Sequence, residues 1–299
     1  MRLATILCVA ALLTACDLFG TAKPTPSPEP SPTPSPSTRP RLELSTYQYA
    51  LQTKGKIRVA VEDDDPPMSK RTATGSYEGF EADLAREIAK AIWGQKDDPE
   101  AHIVWVSVDN ATRTAALTSD QADISIAQLV VSDDLKKVID VSDTYLRTGQ
   151  RLLVKKTNED IKETADVASG EETVCAVKDS TAEQTLRRIT NDRAKILSLT
   201  TVSFCLQALA NGAADAFTGD EVMLMSLVAK DPNLKLVAKP ITDDRLAFGI
   251  KKNTNAARQG FVEFVNGALL RIVADRTWAR LYEKHVLPLS GLPRQIPTD

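Results

Sequence analysis

Histidine is nearly missing from this chain of 299 residues: only His102 and His285 occur, and neither lies in a ligand spacing, so no metal site is visible. Excess basic charge is missing too. The formal net charge is −3, which gives no basic footprint and argues against a nucleic-acid partner. After the first sixteen residues no stretch stays apolar for eighteen, so no transmembrane helix is expected. No nucleophile elbow, Walker loop or zinc motif occurs, and no cofactor or catalytic residue is expected. Cysteine is scarce, with four in all.

What is present begins with an export signal. Met1-Arg2 is followed by an apolar run from Leu3 to Leu13 and then by Leu13-Thr14-Ala15-Cys16. A basic start, a run too short to span a bilayer and small residues before a cut site form a secretory signal over residues 1–16. Leu-Thr-Ala-Cys resembles a lipobox, which implies cleavage before Cys16, lipidation of its thiol and an extracytoplasmic, membrane-anchored protein. An ordinary signal with an incidental cysteine is the alternative. Thr21 to Pro40 carries eight prolines, mostly alternating with Thr or Ser, and cannot pack a core. Extended as polyproline II at roughly 3.1 Å per residue, about twenty residues reach on the order of 60 Å. Residues 17–53 are accordingly read as a linker.

With Cys8 in the signal and Cys16 in the lipobox, Cys175 and Cys205 remain. In an oxidising compartment they form either a disulfide or two buried free thiols. After the linker about 245 residues are left, enough for two lobes or one large domain.

The folded part is organised around Gly75 to Ile92. Gly75 and Gly79 mark a tight turn, and Phe80, Leu84, Ile88 and Ile92 recur every four residues, one apolar face of a helix. Glu81 and Asp83 fall in its first turn, where the helix dipole favours negative charge. Upstream, Lys56 to Glu62 alternates like a strand and runs into Asp63-Asp64-Asp65-Pro66-Pro67, which no regular element is expected to cross.

Strand patterns follow at 102–108 and 122–127, with a short helix over 110–117 between them, which argues for a parallel sheet with helices on both faces. Through 144–150 the chain enters a strand at 151–156 and then a second α/β run. Its strands are expected at 173–178, 195–200, 214–218 and 234–239. Its helices are expected at 180–192, 203–211 and 220–230. Ser180-Thr181-Ala182-Glu183 reads as a capping box, and Gly212 as a helix stop. A return strand at 245–252 precedes helices over 256–274 and 277–285. Two α/β runs with a late return imply two lobes joined by two crossings, near 145–151 and 239–246, with a ligand cleft between them.

Gly79-Phe80-Glu81-Ala82-Asp83-Leu84 resembles the signature that opens the first helix of bacterial extracellular solute-binding proteins of family 3, the polar amino-acid receptors, although Ala82 stands where that family usually has a branched apolar residue. Tyr145 to Val154, Thr173 to Thr181, Asn211 to Asp220, Phe264 to Leu269 and Asp275 to Lys284 resemble its later segments, so the likeness covers about residues 54–287. It is greatest for glutamate/aspartate-binding lipoproteins with a proline-rich stalk. The resemblance implies an α/β, two-lobed periplasmic-binding-protein-like fold of type II, with two parallel-rich sheets. Lobe 1 is expected over 54–147 and 243–299, and lobe 2 over 148–242. It also implies a Cys175–Cys205 disulfide, which the family's glutamate receptors show.

The implied function is capture of a small polar ligand, an amino acid such as glutamate or aspartate, for a membrane ABC permease. By motif position, Asp220 meets the ligand ammonium, and Arg113 meets a side-chain carboxylate. Ser180 and Thr181 open a helix whose N–H groups can hold an anion. The alternatives are a helix N-cap for Asp220, a solvated helix arginine for Arg113, and capping alone for Ser180 and Thr181. Gln128, Ser132 and Asp65 complete the expected binding set.

The chain departs from the family over Ser125 to Val138, where Leu135 takes the place of the arginine that clamps the α-carboxylate and Val130 that of a serine. Gln128 keeps a polar group, Ser132 matches a threonine, and Lys136 could reach in only if the loop shifts by one residue. Asp179, at a common glycine position, adds negative charge. Three outcomes stay open: acidic amino acids held by Arg113 and Lys136, a cationic ligand held by Asp63 to Asp65, Asp179 and Asp220, or lost ligand binding with a docking role. In the second and third cases the lipoprotein could signal to a membrane sensor. A cyclohexadienyl-dehydratase-like enzyme is the remaining alternative.

Overall fold

The computed structural model describes residues 39–253, 256 and 258–290, with the side chains of 289 and 290 excepted. The expected signal, Cys16 and most of the expected linker lie outside the described residues.

The described chain begins with helix α1 (Tyr47–Lys54), strand β1 (Ile57–Glu62) and three short strands, β2 (Asp64–Asp65), β3 (Ser69–Arg71) and β4 (Tyr77–Glu78). Helix α2 (Phe80–Trp93), β5 (Ile103–Val108), α3 (Ala115–Thr118), β6 (Ile124–Val130), α4 (Asp133–Val138) and β7 (Ile139–Thr148) follow. After Gly149 come β8 (Gln150–Lys155), α5 (Thr164–Val167), β9 (Thr173–Val177), α6 (Thr181–Thr190), β10 (Lys195–Leu199), α7 (Val202–Asn211), β11 (Ala216–Asp220), α8 (Glu221–Lys230) and β12 (Leu234–Val237). The chain returns through β13 (Asp244–Lys251) and ends in α9 (Phe261–Ala274), α10 (Thr277–His285) and α11 (Leu287–Ser290).

Two five-stranded sheets result, ordered β5-β1-β6-β13-β7 and β10-β9-β11-β8-β12. In the first, β5, β1 and β6 run parallel, and β13 lies antiparallel to both β6 and β7. In the second, β10, β9 and β11 are parallel, and β8 is antiparallel to β11 and β12. Each lobe is thus built on a mixed sheet, with its parallel pairs on one side and its antiparallel pairs on the other. The two crossings lie side by side: the Ile241 N–H donates to the Gln150 carbonyl at 2.7 Å, and the Gln150 N–H to Thr242 Oγ1 at 3.0 Å. A Cβ on Gly149 would stand 2.5 Å from the Thr242 carbonyl oxygen, so only glycine lets them approach this closely.

Helix α2 buries the face its spacing predicts, with Phe80, Leu84, Ile88 and Ile92 all at 1 % exposure or less. Phe80 meets Trp278 and Tyr282 edge-on, at 5.9 and 6.2 Å between ring centroids, and Trp278 Nε1 donates to the Tyr145 carbonyl at 2.7 Å. The C-terminal helix α10 is thereby fastened to the first sheet, and each such ring contributes roughly 1.5–3 kcal/mol by burial. A second core, around Leu153, Phe217 and Leu224, contains the Cys175–Cys205 disulfide, with 5.6 Å between the Cα atoms.

Several elements differ from the sequence expectation. Tyr47–Lys54, read as linker, is helical: Tyr47 donates to Asp123 Oδ1 at 2.7 Å and packs its ring 5.2 Å from that of Phe261. Polar anchoring of this kind leaves little apolar periodicity to read. The helix expected over 110–117 is confined to Ala115–Thr118, and residues 110–114 form turns. Asp64 and Asp65 pair with Lys70 and Ser69, a two-residue edge that ends before Pro66. In the expected capping box, Ser180 Oγ accepts the Glu183 N–H, but the Glu183 carboxylate reaches past the cap to the Asp179 N–H at 2.8 Å. Among the described residues, no helix is long and apolar enough to cross a membrane.

Candidate functional site

The carboxyl ends of the strands converge on one cleft. Glu62 ends β1, Val108 ends β5, Val130 ends β6, Val177 ends β9 and Asp220 ends β11, and all five line a cavity of about 370 Å³. Gln150 and Asp244, the first residues of β8 and β13, line it from the crossings. Strand ends of open α/β sheets form such crevices because the connections diverge there. Two contacts close the rim. Ser203 Oγ, on α7, donates to Asp64 Oδ2 at 2.5 Å, and Ser226 Oγ, on α8, donates to the Pro66 carbonyl at 3.2 Å.

The lining is acidic. It holds seven carboxylates (Glu62, Asp63, Asp64, Asp65, Asp109, Asp220 and Asp244), and Arg113 is its only Lys, Arg or His among the described residues. Arg113 is buried, and its Nη1 donates to the carbonyls of Ala127 and Gln128 at 2.8 and 3.0 Å and faces Glu62 Oε1 at 3.5 Å. Burial pushes the Glu62 carboxyl up to about 7 against the pull of Arg113. Burial likewise raises Asp220 to about 7, against hydrogen bonds from Thr148 and from the N–H groups of Met223 and Val222. Asp65 is held well above the usual carboxylate range by burial and by the charges of Glu62, Glu81 and Asp220. Behind the wall, Glu81 is fully buried and sits near 7; it accepts from the Tyr145 hydroxyl and from the Gln128 N–H at 2.9 Å.

The residues singled out in the sequence divide in two. Asp220, Arg113, Gln128, Thr181, Ser180 and Asp65 all line the cavity. Asp220 is also the N-cap of α8, accepting from Val222 N at 2.8 Å through Oδ1, while Oδ2 accepts from Thr148 Oγ1 at 2.6 Å. Gln128 adopts φ +47°, a left-handed conformation uncommon for a residue with a side chain, and its Nε2 is buried without a partner.

Ser132 and Lys136 are not brought to the cleft. Ser132 is exposed and caps α4 by accepting the Leu135 N–H at 3.1 Å, and Lys136 is exposed on the same helix. Leu135 packs against the apolar cluster of Ala60, Leu117 and Ile139. Asp179 does not line the cavity either. Sequence reasoning missed Glu62, Gln150 and Asp244. Glu62 carries a signal, as the acid that closes an alternating strand, but Gln150 and Asp244 become neighbours only through the paired crossings. Among the described residues, no group of three or more His, Cys, Asp or Glu side chains is arranged to hold a metal ion.

The family model for bacterial extracellular solute-binding proteins, family 3, matches residues 57–288. The chain belongs to this family. It is 31% identical over 238 residues to the ABC transporter glutamine-binding protein GlnH of Bacillus subtilis, a match that covers 79% of this chain and 83% of that protein. It is 25% identical over 238 residues to the glutamate-binding protein GluB of Corynebacterium glutamicum, covering 78% of this chain and 79% of that one. Among solved structures it resembles the ancestral amino acid-binding protein AncCDT-1, described as a precursor of cyclohexadienyl dehydratase. That likeness has a TM-score of 0.71 and 27% identity, and it covers 81% of this chain and 100% of that structure. The two-lobed fold and the solute-binding role follow from family membership, and the curated relatives named here are binding proteins.

Proposed function

We propose that this family member is the extracytoplasmic receptor of an ABC importer, tethered by lipid on Cys16, and that it closes on an amino-acid-sized solute held by its ammonium group on Asp220. The observation that carries the reading is Asp220 itself: a carboxylate at the end of β11, enclosed by both lobes, lining a cavity of about 370 Å³. That volume lies within the range of small-molecule sites. Relatives named for glutamine and glutamate support an amino acid as the solute. The Leu13-Thr14-Ala15-Cys16 motif and the proline-rich stretch behind it support the anchor.

A thermal-shift screen of the purified protein against amino acids, glutamate and aspartate first, and simple amines tests the reading. A ligand at a hundredfold its Kd adds about 2.7 kcal/mol, a rise of several degrees for a chain of this size. A rise that Asp220→Ala abolishes is the expected result, and a folded protein that responds to no solute overturns the proposal. Incorporation of a fatty-acid label during expression, lost in Cys16→Ser, is expected if the anchor is present, and an unlabelled exported protein overturns it.

A further inference from the structure

We infer that the cleft takes an aliphatic organic dication, a diamine or guanidinoalkylamine with no carboxylate, rather than an amino acid. The inference rests on the receptor reading above and changes only the class of solute.

Charge is the first ground. Seven carboxylates line the cavity against one guanidinium, and Glu62 and two backbone carbonyls already face that guanidinium. A carboxylate brought into this site would meet seven acids and one guanidinium, whose Nη1 already faces Glu62 and two carbonyls. The N-terminus of α6 favours an anion, and it already carries one of the protein's own: the Glu183 carboxylate stands in its first turn and accepts the Asp179 N–H, while Ser180 Oγ accepts the Glu183 N–H.

The second ground is independent of charge. Gln150 lines the cavity at 3% exposure, its Nε2 donates to Asp244 Oδ2 at 3.2 Å, and its Oε1 has no partner. Asp244, an acceptor, fixes the amide's orientation, so the carbonyl oxygen is left as a buried acceptor that calls for an N–H donor from the ligand.

The arrangement suits two cationic ends. Glu62 and Asp65 stand in lobe 1, while Asp220 and Asp244 stand on β11 and at the second crossing. Apolar groups, among them Val108, Val130, Val202, Met223 and Leu246, line the same cavity and fit an alkyl spacer. Burial raises Glu62, Asp65 and Asp220 in spite of Arg113 and of the hydrogen bonds that Asp220 accepts, and a bound ammonium would add counter-charge.

Isothermal titration of the purified protein at pH 7.5 with three matched pairs tests this: ornithine and putrescine, lysine and cadaverine, arginine and agmatine. Within each pair only the carboxylate differs. The decarboxylated member is expected to bind at least tenfold more tightly in the best pair, and both Asp220→Asn and Asp244→Asn are expected to weaken it at least tenfold. Equal or tighter binding of the amino-acid members, or binding of glutamate or glutamine alone, overturns this inference and leaves the receptor reading in place. If neither the six probes nor any of the standard amino acids binds a protein with a normal melting transition, the receptor reading itself falls.

Discussion

The hydroxyl of Thr148 donates to Asp220 Oδ2 at 2.6 Å, joining the last residue of β7 in the first sheet to the last residue of β11 in the second. The bond spans the crossing between lobes and lowers the Asp220 carboxyl against the upward push of burial. Thr148→Val keeps the shape and removes the donor, so Asp220 should be neutral over more of the pH range. A hydrogen bond to a charged group contributes roughly 1.5–3 kcal/mol. A tenfold or greater loss of affinity for an ammonium ligand is therefore expected at pH 7, shrinking at pH 9, where more of the variant's Asp220 is ionised. Titration at the two pH values reads this, and an unchanged affinity at pH 7 would remove Asp220 from the ammonium site.

Without ligand, the cleft should make the protein less stable as pH rises. Glu62, Glu81 and Asp220 all sit near 7, above the ordinary carboxylate range, because burial disfavours their charged forms. The folded state therefore holds protons that the unfolded chain has released. The stability these groups contribute is complete below about 4.5 and is lost as pH rises through 7, by up to about 3 kcal/mol per group. Melting temperature of the unliganded protein should fall between pH 5 and pH 8, and Glu62→Gln or Asp220→Asn should flatten the fall. A profile that rises across that window would contradict the assignment.

Local pattern carried much of the fold into the sequence. The four-residue spacing of Phe80, Leu84, Ile88 and Ile92, the stop at Gly212 (φ 80°) and the Cys175–Cys205 pair all correspond to features of the structure. What stayed hidden depends on tertiary context. Helix α1 rests on Tyr47 bonded to Asp123, 76 residues away, and α4 is so exposed that it leaves no apolar stripe. The same limit applies to the site. Asp220 stands at the end of a recognisable motif, whereas Gln150 and Asp244 meet only because β8 and β13 begin side by side. Ser132 and Lys136 sit close to the cleft residues in sequence, but α4 carries both into solvent.

The disulfide should matter mainly through the unfolded chain. Cys175 lies on β9 and Cys205 on α7, both fully buried and 30 residues apart in sequence. Closing a loop of that length contributes about 3.5 kcal/mol in the chain-entropy model. The Cys175→Ser/Cys205→Ser double variant, or reduction of the native protein, should lower the denaturation midpoint accordingly. Ligand affinity should change little, because neither residue lines the cavity. A loss of affinity larger than the loss of stability would show that the bond also shapes the cleft.

Gly79, the residue before Phe80, is the position least able to change in the segment that leads into α2. Its φ is +125°, and a Cβ there would stand 2.4 Å from the Met68 carbonyl oxygen and 2.9 Å from that of Pro67. Those carbonyls are in use, since Phe80 N donates to Pro67 O at 3.0 Å and Glu81 N to Met68 O at 2.8 Å. They satisfy N–H groups of the first turn of α2 that have no partner within the helix. Gly79→Ala would therefore strain the backbone and push the Asp65–Met68 loop away from the helix start together. A cost of about 2–4 kcal/mol is expected, from a forbidden φ and displaced hydrogen bonds. Because Asp65 lines the cavity, ligand affinity should fall with it. Chemical denaturation and titration on the same variant separate the effects: lost stability with unchanged affinity would mean that the loop gives way without moving Asp65.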